Sequence, residues 1–423
     1  MGVQSRSAAV ALLLALVLAV GGCSGGDGEA STASSVALVT TTTVAVAPTS
    51  SSAPATTSTT APAVPVSPPS RSVWVNLFDP VLTTRAGVET VIAELAAADV
   101  DAVIAQVARR HDAYYDSGYL SPTPDPQLEP GHDVLAALID AARPHGIQVH
   151  AWFVVAPANH PAYDDLVLPA GHVWNEHGPD SADSWMTVDV AGVTSRDHLD
   201  VSLPAVRSHA VAIVDDIASR YEVDGVHLDY VRYDAARWGY HPIVLARFHT
   251  ETGRSDRPDP ADPQWVEWRQ AQTQALVAEA RDALHRARPG AMLSVAVIAG
   301  GPGPSALAGG FADTRAAADM MQDWPAWLES GSVDLVFAMA YNREAVPEQA
   351  QRFRQWSQFA SELSERHPGR IVVGVGAYLN RPADALAQLH LAADATGMAA
   401  LYSYQQDSAD APRGEVLDAW EWR

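Results

Sequence analysis

The sequence predicts an α/β fold, a TIM (β/α)8 barrel preceded by a disordered tether. Short β-rich runs alternate with amphipathic helical segments along most of the chain, and eight such runs occur. This alternation is typical of βα units and a parallel sheet. Eight units over about 350 residues fit a barrel with insertions. A doubly wound open sheet is the competing fold.

The predicted elements follow from hydrophobic periodicity. Apolar-periodic segments such as residues 134–142, 206–220 and 265–286 are long enough for crossover helices. The open-sheet alternative lacks its glycine signature, because no G-x-G-x-x-G follows the first strand and GGPGP has no helix start attached. The predicted strands cover residues 73–78, 102–107, 148–154, 225–230, 292–298, 333–341, 371–378 and 398–404.

The first 22 residues are typical of an export signal. Arg6 is followed by an unbroken run of small and apolar residues, too short to span a bilayer, and then by Gly21, Gly22 and Cys23. This end resembles a bacterial lipobox, which predicts a lipoprotein signal peptide over residues 1–22 and lipidation at Cys23. The alternative is an ordinary secretory signal. We therefore expect an exported protein, lipid-anchored on the extracytoplasmic face of the cell membrane.

Residues 23–70 are almost entirely Ser, Thr, Ala, Pro, Val and Gly, a composition that cannot bury enough apolar surface to fold. We interpret this segment as a tether with a reach of roughly 35 to 40 Å. The formal net charge of -23 disfavours a nucleic-acid partner, because the protein would repel phosphates. The predicted catalytic domain covers residues 71–423.

Polar and aromatic side chains lie near the ends of seven of the eight predicted strands. Site residues of a barrel lie at the carboxyl ends of its strands, so we expect this ring to line one site. Any single member could instead serve packing or an internal ion pair. The predicted ring consists of Asp79, Arg110, Asp112, His150, Trp152, His227, Asp229, Tyr230, Arg232, Tyr341, Asn342, Glu344, Tyr378, Tyr404 and Gln405. An irregular insertion over residues 156–204, rich in His, Trp, Asp and Glu, is predicted to be functional.

Asp229 is the strongest candidate for a catalytic group. In VDGVHLDYVRYD, residues 223–234, the period of two places His227 and Asp229 inside the barrel, with Val226 and Leu228 facing the helices. Glycosidic cleavage needs two carboxyl groups, one to protonate the leaving oxygen and one to attack or to activate water. Asp229 fits either role. The alternative is a structural carboxylate tied to Arg232.

The second carboxylate is left open among three residues. Glu344 follows predicted strand six, Asp112 follows strand two, and Glu176 lies in the long insertion. We rank Glu344 first because it directly follows a strand that faces strand four across the barrel.

Metal-dependent hydrolysis is the rival chemistry. Barrel amidohydrolases carry H-x-H on strand one, where this chain has Val73-Trp74-Val75-Asn76, and no H-E-x-x-H occurs. We therefore predict no catalytic metal and no cofactor.

Five segments resemble the glycosyl-hydrolase-like 10 family of bacterial barrel lipoproteins. They are QVARRHDAYYDS, HDVLAALIDAARPHGIQVHAWF, LDVSLPAVRSHAVAIVDDIASRYEVDGVHLDYVRY, WVEWRQAQTQALV and DWPAWLESGSVDLVFAMAYN, and the third is the most specific. The resemblance implies a TIM barrel acting on polysaccharide, with a relative that cuts peptidoglycan strands stripped of their peptides. The matching positions are Arg110, Asp112, His150, Trp152, Asp229 and Tyr230.

DGVHLDYV is also similar to the D-G-x-D-x-D-x-E signature of chitinase-like barrels, but it departs from that signature. Val231 replaces the proton-donating glutamate, and His227 replaces an aspartate. MAYN is similar to the M-x-Y-D of the same barrels, and Asn342 there replaces another aspartate. Chitinase chemistry is therefore not expected. Two function classes remain: a glycoside hydrolase of the cell envelope, and a non-catalytic glycan-binding barrel.

Overall fold

The eight predicted barrel strands form one closed parallel sheet. The structure, a computed structural model, describes residues 65–159 and 167–420 of the 423. The predicted signal peptide, Cys23 and most of the predicted tether lie outside the described residues. Neighbouring barrel strands follow chain order, and the first pairs with both the second and the last. This closure confirms the predicted TIM barrel.

The barrel consists of the strands that begin at Arg71, Ala102, Gln148, Gly225, Met292, Leu335, Ile371 and Ala399. The strands are β1 (Arg71–Val75), β2 (Ala102–Ala108), β3 (Asp112–Ala113), β4 (Ser121–Pro122), β5 (Gln148–Val154), β6 (Met186–Val188), β7 (Thr194–Leu199), β8 (Gly225–Asp229), β9 (Met292–Ile298), β10 (Leu335–Met339), β11 (Ile371–Gly376) and β12 (Ala399–Tyr402). The helices are α1 (Arg85–Ala97), α2 (Val134–Ala142), α3 (Val173–His177), α4 (Pro204–Arg220), α5 (Pro242–Thr252), α6 (Pro263–Ala287), α7 (Trp324–Glu329), α8 (Pro347–Ser364), α9 (Pro382–Thr396) and α10 (Glu415–Ala419).

Local sequence explains where the helices begin and end. Proline is the first residue of α4, α5, α6, α8 and α9, where its missing N–H breaks no helical hydrogen bond. The Asp133 carboxylate caps α2 by accepting from the Ala136 N–H at 2.9 Å. Gly253 and Gly397 end α5 and α9 with φ of 73° and 75°. Among the described residues, no helix combines the length and apolarity needed to cross a bilayer.

A packed layer of large side chains fills the barrel interior. Trp74 on β1 contacts Phe337 on β10, with ring centroids 5.4 Å apart. Gly374 on β11 leaves room for the indole, because a Cβ there would lie 2.8 Å from Trp74 Cη2. This interior is a core and not a pore, so any site must lie at one end of the barrel.

The amino-terminal end of the barrel is covered by residues 65–70. Val66 packs against the interior cluster, and its N–H donates to the Gly290 carbonyl at 3.1 Å. Gln148 Nε2, at the start of β5, donates to the Ser67 carbonyl at 2.8 Å. The sequence predicts these residues as the end of the tether, but in the structure they pack on the barrel.

The insertion between β5 and α4 carries α3 and the antiparallel β6–β7 hairpin. The Ala158 N–H donates to the Asp197 carbonyl and the Leu199 N–H to the Ala156 carbonyl, both at 2.8 Å. Ala156 and Ala158 lie just beyond the carboxyl end of β5. The hairpin is therefore held at the carboxyl-terminal mouth of the barrel.

Candidate active site

Asp229 is the last residue of β8 and lies at the carboxyl-terminal mouth. As the alternation predicts, Val226 and Leu228 join the core under the helices, whereas His227 contacts Trp74 inside the barrel. Asp229 Oδ1 accepts from the Tyr230 N–H at 2.7 Å and from Arg232 Nη1 at 3.0 Å. The Asp229 side chain is 10% exposed. Asp229 is thus a nearly buried carboxylate whose Oδ1 is fixed by two donors.

The turn after β8 brings Tyr230 and Arg232 together. Tyr230 has a φ of 56°, a left-handed conformation that is uncommon for a bulky residue and clusters at functional sites. The Arg232 guanidinium carbon lies 3.7 Å from the centroid of the Tyr230 ring, a cation–π contact. This turn directs one cation and one aromatic face beside the Asp229 carboxylate.

Tyrosines from three neighbouring strand ends form an aromatic wall. Tyr341 and Tyr402 stack with centroids 5.3 Å apart, and Tyr378 meets each of them edge to face. Burial, the neighbouring tyrosines and then the Asp229 charge raise the pKa of Tyr341. Burial, Tyr378 and then the same carboxylate raise the pKa of Tyr402. The wall therefore lies close to Asp229.

The β6–β7 hairpin adds a histidine to this mouth. His198 Nδ1 lies 2.9 Å from Asp197 Oδ1, its Nε2 lies 3.3 Å from Asp234 Oδ2, and its ring lies 5.9 Å from Tyr230. Burial lowers the pKa of His198, but the Asp197 hydrogen bond and the charges of both aspartates outweigh burial and raise it. Arg232 opposes this rise. An imidazole between two carboxylates thus stands beside the Asp229 turn.

Comparison with known proteins places this site in a family. The model of the family described as Glycosyl hydrolase-like 10 matches residues 69–386. The chain belongs to this family. The glycosyl hydrolase YngK of Bacillus subtilis is 23% identical over 253 residues, covering 57% of this chain and 46% of YngK. The glycosyl hydrolase DigH of Escherichia coli is 26% identical over 228 residues, covering 50% of this chain and 47% of DigH. The chain spans about half the length of these curated relatives.

The family match confirms the resemblance seen in the sequence, and solved structures agree on the fold. The glycoside hydrolase domain of PgaB (BpsB) from Bordetella bronchiseptica superimposes with a TM-score of 0.57 at 18% identity. The match covers 83% of this chain and 98% of that domain. At this identity the likeness shows a shared barrel alone.

Two positions that match the family, Arg110 and Asp112, form a buried ion pair with each other. Arg110 Nη2 lies 2.7 Å from Asp112 Oδ2, and Thr123 Oγ1 donates to the same oxygen at 2.6 Å. Burial raises the pKa of Asp112, but the charge and hydrogen bond of Arg110 outweigh burial and hold the pKa below its usual value. The Asp112 side chain is 0% exposed. Substrate therefore cannot reach this carboxylate in this conformation.

Two further family positions, His150 and Trp152, lie in the barrel interior together with His227. Both His227 ring nitrogens are engaged, Nε2 by the Trp74 indole N–H at 3.3 Å and Nδ1 by Ser294 Oγ at 2.9 Å. Burial lowers the pKa of His150 to about 4. Trp152 is 4% exposed. In the structure these three residues lie below the mouth and pack in the barrel interior.

Two more predicted residues are Tyr404 and Asp79. The Tyr404 hydroxyl donates to Glu94 on α1 at 2.7 Å, with Arg413 over its ring, so Tyr404 faces the helices and Tyr402 takes the interior position. Asp79 is exposed in the loop before Pro80.

Asn342 and Gln405 follow the carboxyl ends of β10 and β12. Asn342 is 4% exposed, and its Nδ2 has no hydrogen-bond partner within the described part of the chain. Gln405 Nε2 donates to the Asn76 carbonyl at 2.7 Å, which ties the last strand end to the first. Asn342 therefore offers a spare donor next to Tyr341.

Of the two remaining candidates for the second carboxylate, one is bound by other side chains and the other is exposed. Glu344 Oε1 pairs with Arg354 on α8, and its Oε2 accepts from Gln388 on α9 at 3.1 Å. Glu176 is exposed on α3. The sequence analysis does not single out Asp197 and His198, although the composition of the insertion points to their segment, nor Asp234 in the loop after β8.

We expect Glu344→Gln to cleave glycan at the wild-type rate, because its carboxylate is held by two outer helices. The loss of its partly exposed pair with Arg354 should cost at most about 1 kcal/mol of unfolding free energy. Reducing ends released per unit time, with equal amounts of enzyme, measure the rate. A fall on the order of 10²-fold would restore Glu344 as the acid.

The described residues contain no group of three or more His, Cys, Asp or Glu side chains arranged to hold a metal ion. The residues at the mouth are instead an acid, a cation and aromatic rings, the side chains that sugar rings and hydroxyls require.

Proposed function

We propose that the protein is a glycoside hydrolase that cleaves O-glycosidic bonds in a polysaccharide. The observation that carries this proposal is Asp229, a nearly buried carboxylate at the barrel mouth, fixed by Arg232 and close to the wall of Tyr341 and Tyr402. A carboxylate so placed can attack the anomeric carbon or activate water as oxocarbenium character develops. The aromatic faces can stack on the apolar faces of the sugar. Membership in the Glycosyl hydrolase-like 10 family supports the same chemistry.

For the substrate we propose peptidoglycan glycan strands. The family resemblance and the predicted export signal both support a substrate in the cell envelope. The curated relatives carry the name glycosyl hydrolase, which supports glycan cleavage without naming a sugar.

A non-catalytic glycan-binding barrel is the second candidate. It is favoured by the engagement of Glu344 and Asp112 with other side chains, which removes two of the predicted partner acids from the mouth. A binding barrel would hold glycan without releasing new ends.

One experiment separates the two. The purified protein is incubated with denuded peptidoglycan and a panel of other polysaccharides, and reducing ends are counted against time. The hydrolase should release ends from at least one glycan, with Asp229→Asn as the inactive control. Glycan retention on a pull-down without new reducing ends in any sample would favour the binding barrel.

We further propose that the mature protein is anchored through an acylated Cys23. Cys23→Ala should release the protein into the medium or leave the precursor uncut, because the thiol that carries the lipid is gone. Fractionation of cells followed by mass measurement of the amino terminus tests this, with Ser24→Ala as the matched control. A Cys23→Ala variant that remains membrane-bound and is processed normally would end the anchor proposal.

A further inference from the structure

An ionisable cluster made of Asp197, His198 and Asp234 adjoins Asp229 through Arg232. Arg232 is ion-paired with Asp229 at 3.0 Å. Burial lowers the pKa of Arg232, but the charge of Asp229 and, to a smaller extent, that of Asp234 raise it. Arg232 therefore lies within electrostatic reach of both carboxylates. Asp234 lies in the loop that follows Asp229, so the two acids belong to one short segment.

Within this cluster, the side chains of Asp234 and His198 differ in their exposed fractions. The Asp234 side chain is 46% exposed, whereas that of His198 is 18% exposed. His198 Nε2 is itself buried and lies 3.3 Å from Asp234 Oδ2, without a hydrogen bond aligned in this conformation. Asp234 is therefore the more accessible of the two groups to a substrate.

We propose that Asp234 is the second catalytic carboxyl group beside Asp229, and that His198 is the positioning residue that supplies its proton. This inference rests on the proposed glycoside hydrolase function. It assigns the second catalytic carboxyl group to a residue other than Glu344, Asp112 and Glu176.

The step starts from the His198 imidazolium beside the Asp234 carboxylate. His198 Nε2–H passes its proton to Asp234, which leaves a neutral imidazole beside Asp197. The Asp234 O–H so formed passes that proton to the glycosidic oxygen as the bond between that oxygen and the anomeric carbon breaks, and the bonding electron pair stays on the oxygen. Asp229 meets the developing positive charge at the anomeric carbon, either by attack or by taking a proton from the attacking water.

The charged and titratable neighbours of His198 support its assignment as the source of the proton. Asp197 from its own strand and Asp234 from the β8 loop stabilise the imidazolium, whereas Arg232 opposes it. Tyr230 packs beside the ring at 5.9 Å. The raised pKa of His198 keeps the proton available near neutral pH, and the loss of that proton should stop turnover as pH rises.

Leaving-group dependence is the first test. Asp234→Asn and His198→Gln should each cleave the natural glycan more slowly, on the order of 10²-fold. Both should retain near wild-type cleavage of a dinitrophenyl glycoside of the same sugar, because that leaving group departs without a proton. Asp180→Asn, an aspartate in the same insertion with a side chain 88% exposed, is the matched control and should be unaffected. Equal losses on both substrates would mean a structural role and would overturn the assignment.

The pH profile is the second test, since a structural role would not move it. The alkaline limb of kcat/KM should report a group with a pKa above 6.5, and Asp197→Asn should shift that limb to lower pH by removing a stabilising carboxylate. Nitrogen-15 NMR of the wild type and of His198→Gln identifies the His198 signal, whose titration should match the limb. A His198 titration below pH 6.5 would overturn the proposal. If Asp229→Asn abolishes cleavage but Asp234→Asn cleaves at the wild-type rate, this inference is wrong and the proposed function stands. If Asp229→Asn cleaves at the wild-type rate, the proposed function is wrong as well.

Discussion

Replacing Asp229 with asparagine should lower kcat on the natural glycan by about 10³-fold or more, equivalent to about 4 kcal/mol of barrier. Asparagine keeps the size of the side chain and an oxygen that can accept from the Tyr230 N–H. It removes the negative charge that an oxocarbenium-like transition state needs. The loss should therefore fall on kcat and leave KM nearly unchanged, because ground-state contacts to the aromatic wall persist.

Initial rates over a range of glycan concentrations give kcat and KM separately. Circular dichroism and thermal unfolding of the variant serve as the control for folding, since Arg232 loses its partner carboxylate. Rates are compared well below the unfolding transition of both proteins. Wild-type turnover in folded Asp229→Asn would remove Asp229 from the mechanism.

The barrel could be predicted because its strands carry a strong local signal. Parallel strands covered on both sides read as continuous apolar and β-branched runs, and all eight were found in the predicted order. The predicted strand ends agree less well with the structure than the predicted strand order does. The last strand stops at Tyr402 and not at residue 404, so the inward alternation ends there and Tyr404 turns to the helices.

Alternation gives the face of a strand but not its height in the barrel. His150 is the third residue of β5, yet it pairs with Gly225, the first residue of β8, because the strands are staggered. That stagger places His150 well below the mouth. Asp229 was predicted correctly to lie at the mouth because it ends its strand, a feature visible within one segment.

The hairpin residues could not be found from local pattern. Asp197 and His198 reach the mouth only because β7 makes backbone hydrogen bonds to Ala156 and Ala158, a long-range contact that no periodicity reports. Asp234 could have been considered from the sequence, because it lies in the same short stretch as Asp229, residues 223–234. Glu344 looked favourable by strand order, but the chain turns after β10 and directs its carboxylate to α8 and α9.

Replacing Asp112 with asparagine should lower the unfolding free energy by about 3 kcal/mol at neutral pH, because removing one partner of a buried ion pair leaves an uncompensated charge. The pair is fully buried, with the Arg110 and Asp112 side chains 2% and 0% exposed. Asparagine keeps the volume and can still accept from Thr123, so the loss isolates the charge. Urea unfolding followed by tryptophan fluorescence measures the difference. Glu222→Gln is the matched control, since its pair with Arg143 is 73% and 63% exposed and should contribute under about 1 kcal/mol.

The Arg110–Asp112 ion pair should also make the difference in unfolding free energy between wild type and Asp112→Asn depend on pH. The pKa of Asp112 is lowered in the folded protein, where Arg110 holds the ionised form against the effect of burial. A lowered folded pKa adds stability above the unfolded pKa of about 3.9, and that stability is lost as pH falls through the folded value. The difference in unfolding free energy between wild type and Asp112→Asn should therefore be largest at pH 7. It should decrease in acid, because the wild-type carboxylate takes up a proton there. A gap that stayed constant down to pH 2 would mean that the loss comes from packing and not from the charge of Asp112, because only the charge is titrated over that range.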